Sequence, residues 1–228
     1  MNLLQLPDAG AQLLPFPVAL GFVAALGAMI GSFLNVVIHR LPREESIVFP
    51  NSRCPSCGTA IRPYDNIPVV SYAVLRGRCR SCKSPISARY PTVELLVAAL
   101  FALVFWHDRL TLALPFDLVF VAALTALVFI DAEHMILPDV ITLPGVGFAL
   151  VARALVPNTY ALGFLADGLL HGLPDWTVSL AGALLGALVG GGSLWLTGFL
   201  WERLRGVEAM GLGDVKMMFM VGAYLGWP

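Results

Sequence analysis

From Val18 to Ile38 the chain runs 21 residues without a charged side chain. A bilayer core of about 30 Å takes about 20 apolar residues in a helix. Predominantly apolar stretches recur along the chain, over Leu112–Ile130 and Val178–Leu200, with shorter ones at Thr92–Trp106, Val140–Val156 and Val215–Trp227. In lipid a backbone must satisfy its own hydrogen bonds, so each such segment is read as a helix. The expected fold is therefore an all-α integral membrane protein with about six transmembrane helices. Composition agrees: 58% of the 228 residues are hydrophobic and 13% charged, against about 25% charged in soluble domains. No Lys or Arg precedes Arg40. A secretory signal needs a basic stretch ahead of its apolar one, so the first apolar run reads as a retained membrane helix.

The positions of Lys and Arg set the expected orientation. Nine of the 14 lie between His39 and Pro91: Arg40, Arg43, Arg53, Arg62, Arg76, Arg78, Arg80, Lys83 and Arg89. Loops rich in Lys and Arg stay in the cytoplasm. Alternating the spans places Arg203, Arg205 and Lys216 inside with them, and Arg109 and Arg153 outside, with the N-terminus external. The same alternation brings Asp131, after the third span, and Asp214, at the start of the sixth, to the cytoplasmic face. The loop Pro157–Thr177, with Asp167, His171 and Asp175 but no basic residue, reads as external. Gly182, Gly186 and Gly190 form a doubled GxxxG in the fifth span, a spacing that lets helices pack closely.

The four cysteines form two CxxC pairs, Cys54/Cys57 and Cys79/Cys82, inside the polar loop. Two such knuckles at this spacing point to a zinc site, and four thiolates close a tetrahedral structural site with no open position for water. The cytoplasm disfavours a disulfide there; redox dithiols or idle cysteines are the remaining readings. The expected organisation is a first helix over 1–38, a cytoplasmic zinc-binding domain over 39–91 stapled by the metal, and a second membrane domain over 92–228.

The stretch LVFIDAEHMILPDVITL, Leu127 to Leu143, places Asp131, Glu133, His134 and Asp139 between two apolar runs. Asp139 follows Pro138 where a helix N-cap belongs, and Glu133 and His134 suit a solvated turn. Asp131 is different. At a helix C-terminus its charge faces the negative end of the dipole, and an acid placed where its charge is disfavoured is a candidate for function. Asp214 follows Gly211-Leu212-Gly213 and precedes Lys216 by two; a helix start and a nearby ammonium favour its ionised form. By itself the Gly-rich turn could be only a flexible cap. Two carboxylates that share one proton divide general-base and general-acid work, as in aspartic proteases. Asp131 is then expected to hold the proton and Asp214 to act as base.

Four motifs in order, GSFLNVVIHRLP, the cysteine segment RCPSCGTAIRPYDNIPVVSYAVLRGRCRSCKSPISARYPTVELL, FIDAEHMILPD and GLGDVK, resemble those of bacterial type IV prepilin peptidases, also called leader peptidase/N-methyltransferases. The resemblance covers nearly the whole chain. It implies a membrane aspartic endopeptidase with Asp131 and Asp214 as catalytic pair, Glu133, Asp139, Lys216, Gly211 and Gly213 as accessory residues of the two motifs, and Cys54, Cys57, Cys79 and Cys82 as zinc ligands. It also implies, as substrates, prepilins and pseudopilins whose short basic leader ends in Gly, and methylation of the new N-terminus from S-adenosylmethionine. Membrane lipid is an expected partner and nucleic acid is not. Archaeal relatives generally lack the cysteine domain, so the chain reads as bacterial and of the inner membrane. Family members usually continue with further helices, so the chain is expected to be short at its C-terminus. Two other functions fit parts of the pattern: a non-catalytic zinc-ribbon scaffold of a pilus or secretion assembly, and an ion transporter, which would need its carboxylates at mid-membrane. Arg43, Glu44 and Glu45 are polar enough to serve methyl transfer, and a solvated turn explains them equally well.

Overall fold

The computed structural model describes residues 15–157, 170, 172–207 and 210–227. The helices are α1 (Phe16–Arg40), a short α2 (Val70–Val74), α3 (Arg89–Asp108), α4 (Leu114–His134), α5 (Asp139–Leu155), α6 (Asp175–Arg205) and α7 (Leu212–Leu225). Among the described residues no strand forms; two isolated bridges, Arg53 with Ala60 and Arg78 with Pro85, are the only β pairing. Asp167 and His171 of the expected external loop lie outside the described residues, whereas Asp175 opens α6.

Among the described residues four helices, α1, α3, α4 and α6, are long and apolar enough to cross a membrane. With α1 of 25 residues, α3 of 20, α4 of 21 and α6 of 31, a rise of 1.5 Å per residue makes even the shortest about 30 Å long. The fourth and sixth apolar segments of the sequence are also helices, α5 and α7. At 17 and 14 residues, α5 and α7 reach only about 26 Å and about 21 Å. Large apolar side chains stand exposed on the long helices, among them Phe22, Leu103, Val128 and Leu188. A water-soluble protein does not leave so much contiguous apolar surface bare; lipid is the solvent these faces suit. The chain is a multi-pass membrane protein.

The chain divides into two compact units, residues 1–134 and 135–228. In the first, α1 packs along α3, and both touch α4. Gly27 and Gly31 permit the approach: a Cβ on Gly27 would lie 2.8 Å from the Val97 carbonyl oxygen, and one on Gly31 2.7 Å from the Glu94 Cα. Ile38, Val93, Val97, Leu127 and Ile130 form the core. Buried Asn35 of α1 donates from Nδ2 to the carbonyls of Gly31 and Tyr90, joining α1 to the first turn of α3. Pro17 and Pro91 sit in first turns, where the missing N–H costs nothing.

In the second unit, α7 packs on α6 and α5. The small-residue stripe of α6 is used for packing, as its spacing predicts. Gly186 meets Gly222 of α7 backbone to backbone, Gly190 faces the Met218 carbonyl, and the Gly182 carbonyl accepts the Trp227 N–H at 3.0 Å. Gly145, after Pro144 inside α5, leaves room for the Met220 side chain. Arg153 of α5 donates from Nε to the Tyr224 carbonyl at 2.5 Å and stacks its guanidinium on the Tyr224 ring.

Candidate functional site

Residues 41–88 fold into two similar knuckles. In each, the first cysteine's amide N–H donates to a carbonyl five residues on, Cys54 to Thr59 and Cys79 to Ser84, and its carbonyl takes an N–H four residues on, from Gly58 and Lys83. Gly58 and Lys83 both adopt positive φ, 70° and 61°, which turns each knuckle back on itself. Glycine tolerates that conformation more readily than lysine does.

The two knuckles bring all four cysteine sulfurs within 4.8 Å of one another. The Cys54 and Cys82 sulfurs are 3.8 Å apart. Zn–S bonds of about 2.3 Å arranged tetrahedrally separate the sulfurs by about 3.8 Å, so the four donors fit a metal of that kind. The surroundings favour the thiolate at Cys54 and Cys82, whereas the Cys79 thiol is pushed up. The Cys57 amide N–H beside Cys54 leads the effects that pull its thiol down to about 6, and the Ser84 hydroxyl lowers that of Cys82. Arg80 braces the second knuckle with two hydrogen bonds to Asp65, 2.8 and 2.6 Å.

Asp131 is exposed in the last turn of α4, directly after fully buried Ile130. The helix continues three residues past it to His134 and is stopped by Met135, at φ 53°, in the left-handed conformation where helices commonly end on glycine. Glu133 does not stand free in a turn: both its oxygens accept from Arg89 Nη1, at 2.6 and 2.5 Å, tying the end of α4 to the start of α3. His134 Nε2 is buried without a hydrogen-bond partner.

Asp214 lies in the first turn of α7, its amide bonded to the Gly211 carbonyl at 3.2 Å. A carboxylate in a first turn is favoured by the helix dipole. Gly211 is the N-cap; a Cβ there would meet nothing closer than 3.7 Å. Gly213 is more constrained, because a Cβ there would lie 3.0 Å from Leu137 Cβ.

Two local expectations are corrected. Asp139 is the first residue of α5, with Pro138 as the N-cap, and makes no capping hydrogen bond. Lys216 does not turn to Asp214; its ammonium donates to both Asp139 oxygens at 2.7 and 2.8 Å. Position explains both. Lys216 is two residues beyond Asp214, and residues so spaced point to different sides of a helix, whereas the start of α5 lies beside α7.

The described residues give three separate parts: a four-sulfur cluster and an Arg89–Glu133 tie beside Asp131 in the first unit, and a Lys216–Asp139 tie beside Asp214 in the second. Asp131 belongs to the first unit and Asp214 to the second. Sequence reasoning passed over Arg89, Asn35 and Glu94. Glu94 carried a signal: it is an ionisable residue inside the apolar run Thr92–Trp106, and such residues are costly in a membrane and commonly functional.

Residues 25–108 match the Bacterial Peptidase A24 N-terminal domain, and residues 118–228 match the Type IV leader peptidase family. Curated relatives carry the name prepilin leader peptidase/N-methyltransferase. One from Pseudomonas aeruginosa is 40% identical over 225 residues, covering 89% of this chain and 71% of the relative. One from Dichelobacter nodosus is 38% identical, covering 95% of this chain and 78% of the relative. One from Neisseria gonorrhoeae is 37% identical, covering 92% and 75%. No solved structure matches the chain.

Proposed function

The chain belongs to the type IV leader peptidase family, and on that premise we propose that it is a membrane aspartic endopeptidase that removes the basic leader of prepilins and pseudopilins and methylates the N-terminus so exposed. The observation that carries the reading is the placement of its two motif carboxylates: Asp131 in the last turn of an apolar helix and Asp214 in the first turn of another. The cleavage point of a prepilin, between a basic leader and an apolar helix, belongs at a membrane boundary. By the positive-inside rule that boundary is the cytoplasmic one, with the Arg-rich cysteine region on the same side of a bacterial inner membrane.

In the reaction, Asp214 takes a proton from water, and the water oxygen bonds to the scissile carbonyl carbon. Asp131 gives its proton to the carbonyl oxygen. Collapse of the tetrahedral carbon then breaks the C–N bond: the hydroxyl proton on the former carbonyl oxygen returns to Asp131, and the amine leaves with the proton held by Asp214. Glu133, Asp139 and Lys216 are positioning residues. Through Arg89 and through each other they hold the ends of α4, α5 and α7. Cys54, Cys57, Cys79 and Cys82 hold a structural zinc that organises residues 41–88, and S-adenosylmethionine supplies the methyl group.

The test is co-expression with a prepilin, scoring leader removal. Asp131→Asn and Asp214→Asn should each reduce cleavage by a factor of about 10² to 10⁴, the usual contribution of a positioned acid or base. Near-wild-type cleavage by either variant would remove the mechanism.

A further inference from the structure

The exposed and buried residues of α1 fall on opposite sides of the helix. Val18, Phe22, Met29 and Phe33 are exposed, whereas Val23, Gly27, Leu34 and Ile38 are buried. At 3.6 residues per turn the exposed four lie within about 60° of one another around the axis. They form the stripe of α1 that suits lipid. Arg40, the last residue of the helix, is seven positions beyond Phe33, which is about two turns and returns it to the same stripe.

Arg40 also closes a loop. Its carbonyl accepts the Glu45 N–H at 3.1 Å, and its guanidinium donates to the carbonyls of Ser46 and Pro50 at 2.9 and 2.7 Å. Inside the loop the Ser46 hydroxyl accepts from the Val48 and Phe49 amides at 3.3 and 3.2 Å. Much of the polar backbone of residues 45–50 is thus turned in on one guanidinium and one hydroxyl. What faces outward is apolar: Ile47, Val48 and Phe49 are 38, 66 and 72% exposed.

Three consecutive apolar side chains bared to water are unfavourable. The boundary between headgroups and acyl chains suits them better, because it surrounds the side chains with lipid while backbone groups already paired lose little by leaving water. The height of the loop is set by Arg40. A guanidinium at the end of an apolar helix sits at the membrane–water boundary, so the carbonyls bound to it sit there too. Charge near the tip almost balances, with Arg40, Arg43 and Arg53 against Glu44 and Glu45. Apolar contact, and not attraction to anionic lipid, is then the driving force.

We propose that Ile47, Val48 and Phe49 form a membrane contact separate from the spanning helices: a tip inserted into the phospholipid interface beside the end of α1, with Arg40 as the bracket that aims it. The cysteine region is then held to the bilayer at three points, through α1, through α3 and through this tip. A prepilin segment or a second copy of the chain would also cover an apolar tip. Its attachment to the lipid-facing stripe of α1 favours the bilayer.

The test reconstitutes the full chain in bilayers containing radioactive phospholipid, with and without a prepilin. Benzoylphenylalanine, a photo-crosslinking analogue of phenylalanine, replaces Phe49, or exposed Phe22 of α1 as a lipid-facing reference, or exposed Lys83 of the second knuckle as a water-facing one. On irradiation the probe at position 49 should take up phospholipid at least about fivefold more than the probe at 83, whatever the anionic fraction of the bilayer. Arg40→Met removes both guanidinium donors and should lower the adduct at 49 by about half or more while leaving that at 22 unchanged. Where Arg40→Met does not fold, the comparison of positions 49 and 83 decides alone. Uptake at 49 no greater than at 83 overturns the inference. So does crosslinking from 49 to a prepilin or to a second copy in place of lipid, or an adduct at 49 undiminished in folded Arg40→Met. Each of these outcomes leaves the proposed reaction standing.

Discussion

Lys216 and Asp139 show how a single contact is valued. Their side chains are 34% and 53% exposed, and ion pairs so exposed contribute about 0 to 1 kcal/mol. Lys216→Met should therefore shift the stability of the detergent-solubilised chain by less than about 1 kcal/mol in a thermal melt. Its effect on leader removal should be larger than that shift accounts for, because the ammonium fixes the turn that carries Asp214. Asp65 makes a pH prediction. The hydrogen bonds from Arg80 hold its carboxyl below the ordinary value. A depressed folded value means stability present above the unfolded pKa of about 3.9 and lost as pH falls through the folded one. Limited proteolysis of residues 41–88 should rise on acidification below about pH 4, and Arg80→Leu should flatten that rise. Asp65 was not legible as a braced group, since its partner is 15 residues away and neither residue forms a motif with the other. The cysteines were legible, because CxxC spacing is itself the geometry of a knuckle.

Helices in lipid associate by close packing of small residues, and the glycines here separate into two kinds. Gly222 meets the Gly186 backbone, so Gly222→Leu has no room and should destabilise the second unit by about 1 to 3 kcal/mol, as overpacking does. Gly198 has nothing within 4 Å of its would-be Cβ. Gly198→Ala should be neutral or stabilising by up to about 1 kcal/mol. Thermal melts of both variants check the pair. The α6 stripe could be read from its spacing alone, and it was. The same spacing at Gly27 and Gly31 does the same work in α1. Helix ends were less readable: α4 continues through Asp131 to His134, and α6 continues through Arg205. Polar residues close an apolar run without closing a helix, because the backbone continues wherever water can solvate the side chains.

For the molecule as a whole, the cysteine cluster and the membrane helices are held by different forces. The helices satisfy their own backbones and need only lipid and packing. Residues 41–88 have little apolar core beyond a few side chains, and the proposed metal would supply folding energy there. Removing zinc with a chelator, or Cys57→Ser, should leave the far-ultraviolet helical signal largely intact while exposing residues 41–88 to protease. One zinc per chain by metal analysis should fall to none.

Helix type, the apolar faces and the four-sulfur cluster were decided by the sequence, because hydropathy and knuckle spacing act over a few residues and need no partner. Tertiary structure alone chose Asp139 for Lys216, Glu133 for Arg89, and the Tyr90 carbonyl for Asn35. Those choices join positions tens of residues apart, and a side chain's partner depends on which helix faces pack together, which no local pattern records.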